Sequence, residues 1–387
     1  MTNINKKILI PFALFPALAF ADGIQENPEQ DIIEVEEIQL AEVPPSKTFV
    51  TGRLQYNISD IALRSGTSFG SDSVAIPDGK TVGWLDARLG AQTYQPIDHD
   101  LTAFGIMEFD ISSNEAMVGM DNKKNELMPR YVFAGIDSKE YGKVSVGRVG
   151  SGLLELVNLT DFFAFNGGGE TIASRASMID KSASGVTRQD NTIEYGHKIG
   201  GLTFSTGYIM DSGVFSDTGV DKGFNGAASY NFTLSELSHL KPVVAFQKTY
   251  AADRADNDAD SYTFWGVGAE YYYADFGASF IYSEDKLDGT LQDTGTNKGL
   301  ETMVRWTGFD KLDLRAGYFM QKNDVYGDKM INDIVLDAHY FLSPKMRLIG
   351  EYSFRNANEF VGNGGHYYAT SENKQEDFFY LAFRLNF

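Results

Sequence analysis

The sequence predicts an all-β fold, a transmembrane antiparallel β-barrel of about sixteen strands with a long third loop folded into its lumen. Three observations carry that reading. Beyond residue 46 the chain repeats segments of about ten residues whose hydrophobicity alternates with period two. The count of segments is even, as closure of a bacterial barrel requires. Tight turns and long polar loops alternate between them. Composition agrees, since 39 Gly, 28 Phe and 20 Tyr against 10 Pro in 387 residues favour strands.

The first element is a leader. Lys6 and Lys7 precede the apolar run of residues 8–20 and the small-x-small triplet Ala19-Phe20-Ala21, the layout of a secretory signal peptide over residues 1–21. A spanning helix needs ~20 apolar residues, and this run is shorter and broken by Pro11 and Pro16. Residues 22–46 follow, with Asp22, Glu26, Glu29, Asp31, Glu34, Glu36, Glu37 and Glu42, no Lys or Arg, and Pro44-Pro45 at the end. Like charges at this density repel, and large apolar groups are few, so a mobile acidic arm is expected.

Residues 47–387 form the expected barrel. Strand segments begin near Thr48, Val82, Leu101, Met128, Val144, Arg188, Leu202, Gly223, Leu240, Asp260, Phe276, Lys298, Leu312, Met330, Met346 and Gln375. In the last of them Phe379, Leu381, Phe383, Leu385 and Phe387 share one face, while Phe378, Tyr380, Ala382, Arg384 and Asn386 share the other. Leu312, Leu314, Ala316, Tyr318 and Met320 likewise oppose Asp313, Arg315, Gly317, Phe319 and Gln321. Leu348, Gly350, Tyr352 and Phe354 oppose Arg347, Glu351, Ser353 and Arg355. Tight turns fall at Asp98-His99-Asp100, Gly200-Gly201, Ala274-Asp275, Asp310-Lys311 and Ser343-Pro344-Lys345, whereas residues 61–81 and 356–374 are long and polar. Short periplasmic turns with long external loops are the outer-membrane arrangement. Tyr271-Tyr272-Tyr273 and Trp306 with Phe309 suit aromatic girdles.

Sixteen strands enclose an aqueous channel, which something must narrow if it is to select. Residues 150–187 are too long a connection for neighbouring strands, and loops of that length without structure of their own are usually functional. This segment is expected to fold inward as a constriction loop. It carries Glu155, Asp161, Glu170 and the run Gly167-Gly168-Gly169, read as a tight bend. No Lys-Ser/Thr follows the glycines, so a phosphate cradle is a poor reading.

Charge and composition exclude other classes. With 33 Lys plus Arg against 53 Asp plus Glu the net charge is -20, which argues against a nucleic-acid partner. Zero cysteines remove disulfides, thiolate nucleophiles and Cys-type metal sites. His99, His197, His239, His339 and His366 lack ligand spacing to one another, so neither a metal nor a cofactor is expected. Asp256, Asp258 and Asp260 mimic the start of a calcium loop, but Ser261 and Val267 occupy its sixth and twelfth positions. That stretch is read as a solvated loop, able at most to bridge divalent ions to lipopolysaccharide.

At Thr51-Gly52-Arg53-Leu54, Ala87-Arg88-Leu89-Gly90, Arg130 to Gly135, Tyr141-Gly142-Lys143, Val146-Gly147-Arg148, Thr160-Asp161, Phe165 to Glu170 and Arg188 to Tyr195 the chain resembles the general, non-specific porins of Gram-negative outer membranes. The resemblance covers most of residues 49–387. It implies a trimeric diffusion channel, hence a homotrimer, in which basic side chains on the wall face acids on the third loop. By motif the basic wall falls on Arg53, Arg88, Arg130 and Arg188, and the acids on Asp161 and Glu170. Parity supports three of the arginines: Arg53 shares a face with Gln55 and Asn57, Arg88 with Asp86 and Gln92, and Arg130 opposes Tyr131 and Phe133. The family's Pro-Glu-Phe ahead of its glycines reads Ala164-Phe165-Asn166 here, so one constriction carboxylate is missing. Terminal Phe387 looks like the residue by which the outer-membrane assembly machinery recognises such chains.

The expected activity is therefore passive diffusion of small hydrophilic solutes and ions, in contact with lipopolysaccharide and outer-membrane lipid. Opposed rows of charge set a transverse field that orients water and penalises apolar solutes. Removal of the leader takes the charge to -22, and the arm's eight acids leave -14 on residues 47–387, which predicts modest cation preference. Two alternatives remain at this stage. One is a barrel enzyme, a protease or phospholipase built on His339 beside Asp337, although no serine is placed to complete it. The other is an adhesin or phage receptor acting through residues 356–374.

Overall fold

The computed structural model describes residues 45–60, 81–112, 128–164, 188–211, 219–252, 259–289, 294–325, 329–356 and 377–387, together with Thr171, Arg175, Ala176, Ile179 and Asp180. The expected leader, nearly all of the acidic arm, Gly167, Gly168, Gly169, Glu170, Asp256, Asp258 and residues 357–374 lie outside them. The strands are β1 (Lys47–Ser59), β2 (Val82–Pro96), β3 (Leu101–Ser112), β4 (Met128–Ser138), β5 (Gly142–Gly150), β6 (Arg188–Ile199), β7 (Leu202–Ile209), β8 (Val220–Tyr230), β9 (Phe232–Ser235), β10 (Ser238–Ala251), β11 (Ser261–Tyr273), β12 (Phe276–Asp288), β13 (Thr296–Phe309), β14 (Leu312–Asn323), β15 (Lys329–Ser343), β16 (Met346–Arg355) and β17 (Phe378–Asn386). One short helix, α1 (Leu154–Val157), follows β5.

Apart from β8 and β9, which both pair with β10, each strand pairs antiparallel with the next, and β1 pairs with both β2 and β17, so the sheet closes on itself. β8 and β9 both lie along β10 and are one stave interrupted at Asn231, which makes sixteen staves in all. Eight of the expected strand starts coincide with the observed ones: Val82, Leu101, Met128, Arg188, Leu202, Phe276, Leu312 and Met346. The five expected tight turns all join neighbouring staves. In the first of them the N–H groups of Asp100 and Leu101 each donate to the Asp98 carboxylate at 2.8 Å. Those bonds, Leu101's first, hold its carboxyl below the usual range.

Alternation sorts the side chains as the pattern requires. Leu381 and Leu348 are 48% and 46% exposed on the outer surface, while their strand neighbours Tyr380 and Arg347 are buried on the inner one. The seam is sealed by the last residue. Gly52 N–H donates to Phe387 O at 3.0 Å, and Phe387 N–H donates to Gly52 O at 2.9 Å. A methyl group added at Gly52 would stand 2.2 Å from the Phe387 ring, so that ring needs glycine beneath it.

β4 departs from strict parity. Tyr131 and Phe133, expected on the face opposite Arg130, point inward, and Val132 and Ile136 face out. Glu108 pairs with Tyr131 but Phe109 pairs with Pro129, leaving Arg130 as an extra residue. Such a bulge re-aims side chains. Arg130 is thereby buried on the inner side together with Tyr131, so its inward placement stands and the alternation argument offered for it does not.

Inward-facing glycines on β11 and β14 make room for the segment after β5. Methyl groups added at Gly266, Gly268 and Gly317 would each meet a side-chain carbon of Leu156, Leu159 or Phe163 at 2.6 Å. Gly317→Val is therefore expected to displace Phe163 and to cost about 1–3 kcal/mol by overpacking. Gly350→Ala, whose nearest neighbour would lie at 3.6 Å on the outer face, is expected to be neutral. Thermal unfolding followed by heat-modifiable gel mobility checks both.

Candidate functional site

The interior is built from two unlike halves. Across β8 and β10 to β15 the wall is covered by the segment that follows β5. Ser151 O and Oγ start its turn by accepting from Leu154 N–H at 2.9 Å and Leu153 N–H at 3.1 Å. The turn buries Leu153, Leu156, Val157 and Leu159 against Ala227, Val243, Ala245, Phe264 and Ile281. Phe162 and Phe163 then enter a second apolar pocket made by Met303, Phe319, Ile331 and Val335.

Polar clamps fix the same segment. Glu301 is fully buried and accepts from the hydroxyls of Thr160 and Thr171, and from Thr171 N–H at 3.0 Å. Arg175 donates from Nη2 and Nε to Asp285 at 2.8 and 3.0 Å and from Nη1 to the carbonyls of Thr294 and Gly295. Ala164 N–H donates to Glu351 at 2.8 Å, and Arg315 donates to Phe162 O. At the turn's start Glu155 accepts from Ser229 at 2.6 Å and pairs with Lys241 at 2.9 Å. An uncompensated buried carboxylate is costly, so the satisfied Glu301 and Asp285 bind the loop to one position. Asp161, half-buried, lies between Thr160 and Phe162, two of these fixed points.

The other half carries arginine. All four expected basic positions face inward within one arc of the ring: Arg53 on β1, Arg88 on β2, Arg130 on β4 and Arg188 on β6. Arg88 Nε donates to Asp110 at 2.8 Å, while Arg130 donates to Glu108 at 2.7 Å and to Asp110 at 3.0 Å. Arg188 lies 5.8 Å over the Tyr131 ring, a cation–π contact that the bulge in β4 makes available. Arg53 stands directly across from Arg88 in the ladder.

Sequence reasoning missed four more. Arg305, Arg315, Arg347 and Arg384 continue the row on β13, β14, β16 and β17. Arg305 faces Arg315 across one ladder and Arg347 faces Arg384 across another. Like charges directly opposite are unfavourable. Interleaved acceptors offset the repulsion: Arg305 makes a forked pair with Asp313 at 3.0 and 2.9 Å, Arg315 donates to the same carboxylate at 2.5 Å, and Arg384 donates to Gln55. The signal was present, because alternation had placed Arg315, Arg347 and Arg384 on polar faces; no motif marked them as part of one row.

The ring order places β10 to β12 across the lumen from β1 to β3. The loop thus thickens one wall, Arg53, Arg88, Arg130, Arg188, Arg347 and Arg384 line the uncovered staves, and Arg305 and Arg315 stand on the loop's own side against Phe162. His339 lies 3.2 Å from Asp337 and 3.3 Å from Arg315, beneath the loop and buried. These contacts make it part of the charged wall. Among the described residues no His, Asp or Glu group is arranged to hold a metal.

Comparison with known proteins follows this geometry. The outer-membrane porin PhoE of Salmonella typhimurium is 25% identical over 276 residues, 68% of this chain and 76% of its own length. Porin-like protein L of Photobacterium profundum is 23% identical over 312 residues, 78% of this chain and 80% of its own. Among solved structures, Salmonella typhi OmpF in complex with daunomycin superposes with TM-score 0.69 at 18% identity, covering 88% of this chain and 97% of that one. The anion-selective porin of Comamonas acidovorans gives 0.65 at 16% identity, covering 89% and 100%. The trimer form of OmpT from Vibrio cholerae gives 0.63 at 15%, also covering 89% and 100%. At these identities the structures establish the fold. They show the same barrel. A sequence model described as Gram-negative porin matches residues 54–359, and with that match over most of its length this chain belongs to the Gram-negative porins, non-enzymatic channels of the outer membrane.

Proposed function

We propose that this porin is a general diffusion channel for small hydrophilic solutes and ions, mildly cation-selective, working as a homotrimer. The observation that carries the proposal is the facing of an arginine row against a wall thickened by a clamped loop. In this reading Arg53, Arg88, Arg130 and Arg188 form the basic side of the constriction, extended by Arg347 and Arg384. Asp161 and Glu170 form the acidic side, the latter beyond the described residues, and Gly167, Gly168 and Gly169 supply the bend. A field across the eyelet orients water and separates ion paths, so a solute must be both narrow and polar.

Cation preference rests on the -14 carried by residues 47–387 and on the acids in the loops; the arginine row keeps it modest. The trimer rests on family likeness and on the outer faces of β16, β17 and β1 to β3, where Leu348, Tyr352, Leu381, Leu54, Leu89 and Met107 are exposed. Residues 1–21 act as the export signal, residues 22–46 as a mobile arm, and Phe387 as the assembly signal.

Planar-bilayer recording under a salt gradient tests the channel. Conductance steps in threes and a reversal potential on the cation side are expected; an anion-side reversal would refute the charge argument. Arg88→Gln with Arg130→Gln removes two positive charges from the wall and is expected to raise the cation-to-anion permeability ratio by about twofold in the same recording. Glu301→Gln removes a charged acceptor shared by Thr160 and Thr171, at a cost of about 1–3 kcal/mol. Single-channel conductance should rise and become noisier as the loop leaves the wall.

A further inference from the structure

One ladder row inside the barrel collects oxygen acceptors that lack donors. Glu194 of β6 stands directly opposite Gly207 of β7, Gly207 opposite Asn225 of β8, and Asn225 opposite Gln247 of β10. All four face inward, since their strand neighbours Ile193, Tyr208, Phe224 and Phe246 are exposed on the outer surface. Asn225 is 3% exposed and Gln247 is fully buried. Even so, Asn225 Oδ1, Gln247 Oε1 and Glu194 Oε2 are buried atoms with no hydrogen-bond partner among the described residues. Buried polar atoms of native proteins are nearly all satisfied, so three such acceptors on one row require a physical reason.

Neighbouring groups fix the direction in which these oxygens point. Asn225 Nδ2 donates to Gln189 Oε1 at 2.9 Å, which turns Oδ1 the other way, over Gly207. A methyl group added at Gly207 would stand 2.6 Å from that oxygen, so the glycine opens the space between the Asn225 amide and the Glu194 carboxylate. Gln247 Nε2 is directed along its own strand to Thr249 at 3.2 Å, which leaves Oε1 on the side of the row. Lys143, one inward step from Glu194 toward the periplasm, is drawn elsewhere: it stands directly opposite Asp137, and its Nζ lies 5.7 Å over the Phe104 ring, on the side of β3 and β4. Among the unpartnered buried atoms of the row and its support, Gln189 Nε2 is the one donor. An anion would meet the wrong sign here. A water molecule brings two hydrogens to three acceptors and no charge to set against a carboxylate. A cation answers both needs.

We infer that Glu194, Asn225 and Gln247 hold an alkali-metal cation in the barrel wall beside the seat of the inward loop. Carboxylate and amide carbonyl oxygens are the ligands that hard cations take, and one formal negative charge suits a monovalent ion, whereas calcium gathers about 6–8 oxygens. Glu194 is only half-buried, so the ion enters from the lumen. Ala227 and Ala245, two residues nearer the periplasm on the strands of Asn225 and Gln247, belong to the apolar pocket that takes the loop's leucines. The ion thus ties β6, β8 and β10 together at the edge of that pocket. The inference rests on no property of the arginine row or of the channel's selectivity.

The test uses the full-length protein in detergent and two readouts. Crystals grown in potassium salt and soaked with thallous ion, a scattering substitute for potassium, are expected to show an anomalous peak between Glu194, Asn225 and Gln247. In solution, heat-modifiable gel mobility should report a higher unfolding temperature in potassium or sodium chloride than in choline chloride at equal ionic strength, because choline is too large for the site. Gln247→Met keeps the length of the side chain without its oxygen, and should lose both the peak and the salt difference. Gln247→Glu adds a second carboxylate, and should keep the peak and gain stabilisation by calcium. Water alone at the site gives neither an anomalous peak nor a salt difference in wild type, and that result would overturn the inference, as would an undiminished peak in Gln247→Met or Glu194→Gln. Bilayer conductance on the same samples separates this outcome from failure of the channel proposal, since a conducting wild type without the peak refutes only the ion site.

Discussion

Everything in this protein depends on satisfying backbone hydrogen bonds where no water is available. A sheet can do so within a bilayer only by leaving no edge. The pairing of β1 with β17 removes the edge, and the reciprocal bonds between Gly52 and Phe387 carry it to the final residue. Glycine at position 52 is a consequence, because the closing aromatic ring occupies the space a side chain would need. Once closed, sixteen staves necessarily separate a lipid-facing surface from an enclosed one, and period-two alternation assigns each residue to one or the other.

Closure creates a problem that the interior then answers. A polar tube is too wide to discriminate, so part of the chain must be brought into it and held. Holding uses both currencies available to a folded chain: apolar burial of Leu156, Leu159, Phe162 and Phe163 on a wall cleared by glycines, and charged acceptors for the loop's hydroxyl, amide and guanidinium donors. Glu301 and Asp285 would each be a liability alone. With Thr160, Thr171 and Arg175 in place they become fixed points, and the loop cannot move without exposing a buried carboxylate.

The arginines store the opposite kind of tension. Three pairs of arginines stand directly across ladders from one another: Arg53 with Arg88, Arg305 with Arg315, and Arg347 with Arg384. Guanidinium groups tolerate this because they stay charged, are weakly hydrated and fork between acceptors. Asp110 and Asp313 each serve two arginines, which spaces the positive charge without cancelling it. A row of this kind keeps a field directed across the lumen, and it does so with side chains that packing holds still.

By itself the sequence determined the barrel, the stave count, the turns and the faces of β14, β16 and β17, because lipid on one side and water on the other force a signal that repeats every second residue. It also turned Arg53 and Arg88 inward through alternation, and pointed to Arg130 and Arg188 through likeness to a family. Only the tertiary structure decided what alternation cannot encode. The bulge at Arg130 breaks the period locally, so the true inward partners Tyr131 and Phe133 read as outward ones. Arg305, Arg315, Arg347 and Arg384 join the first four only when the ring closes and brings the two ends of the chain side by side. The glycine track and the carboxylate clamps link residues more than a hundred positions apart, and contacts at that separation are set by how staves lie across a lumen, a distance no local pattern records.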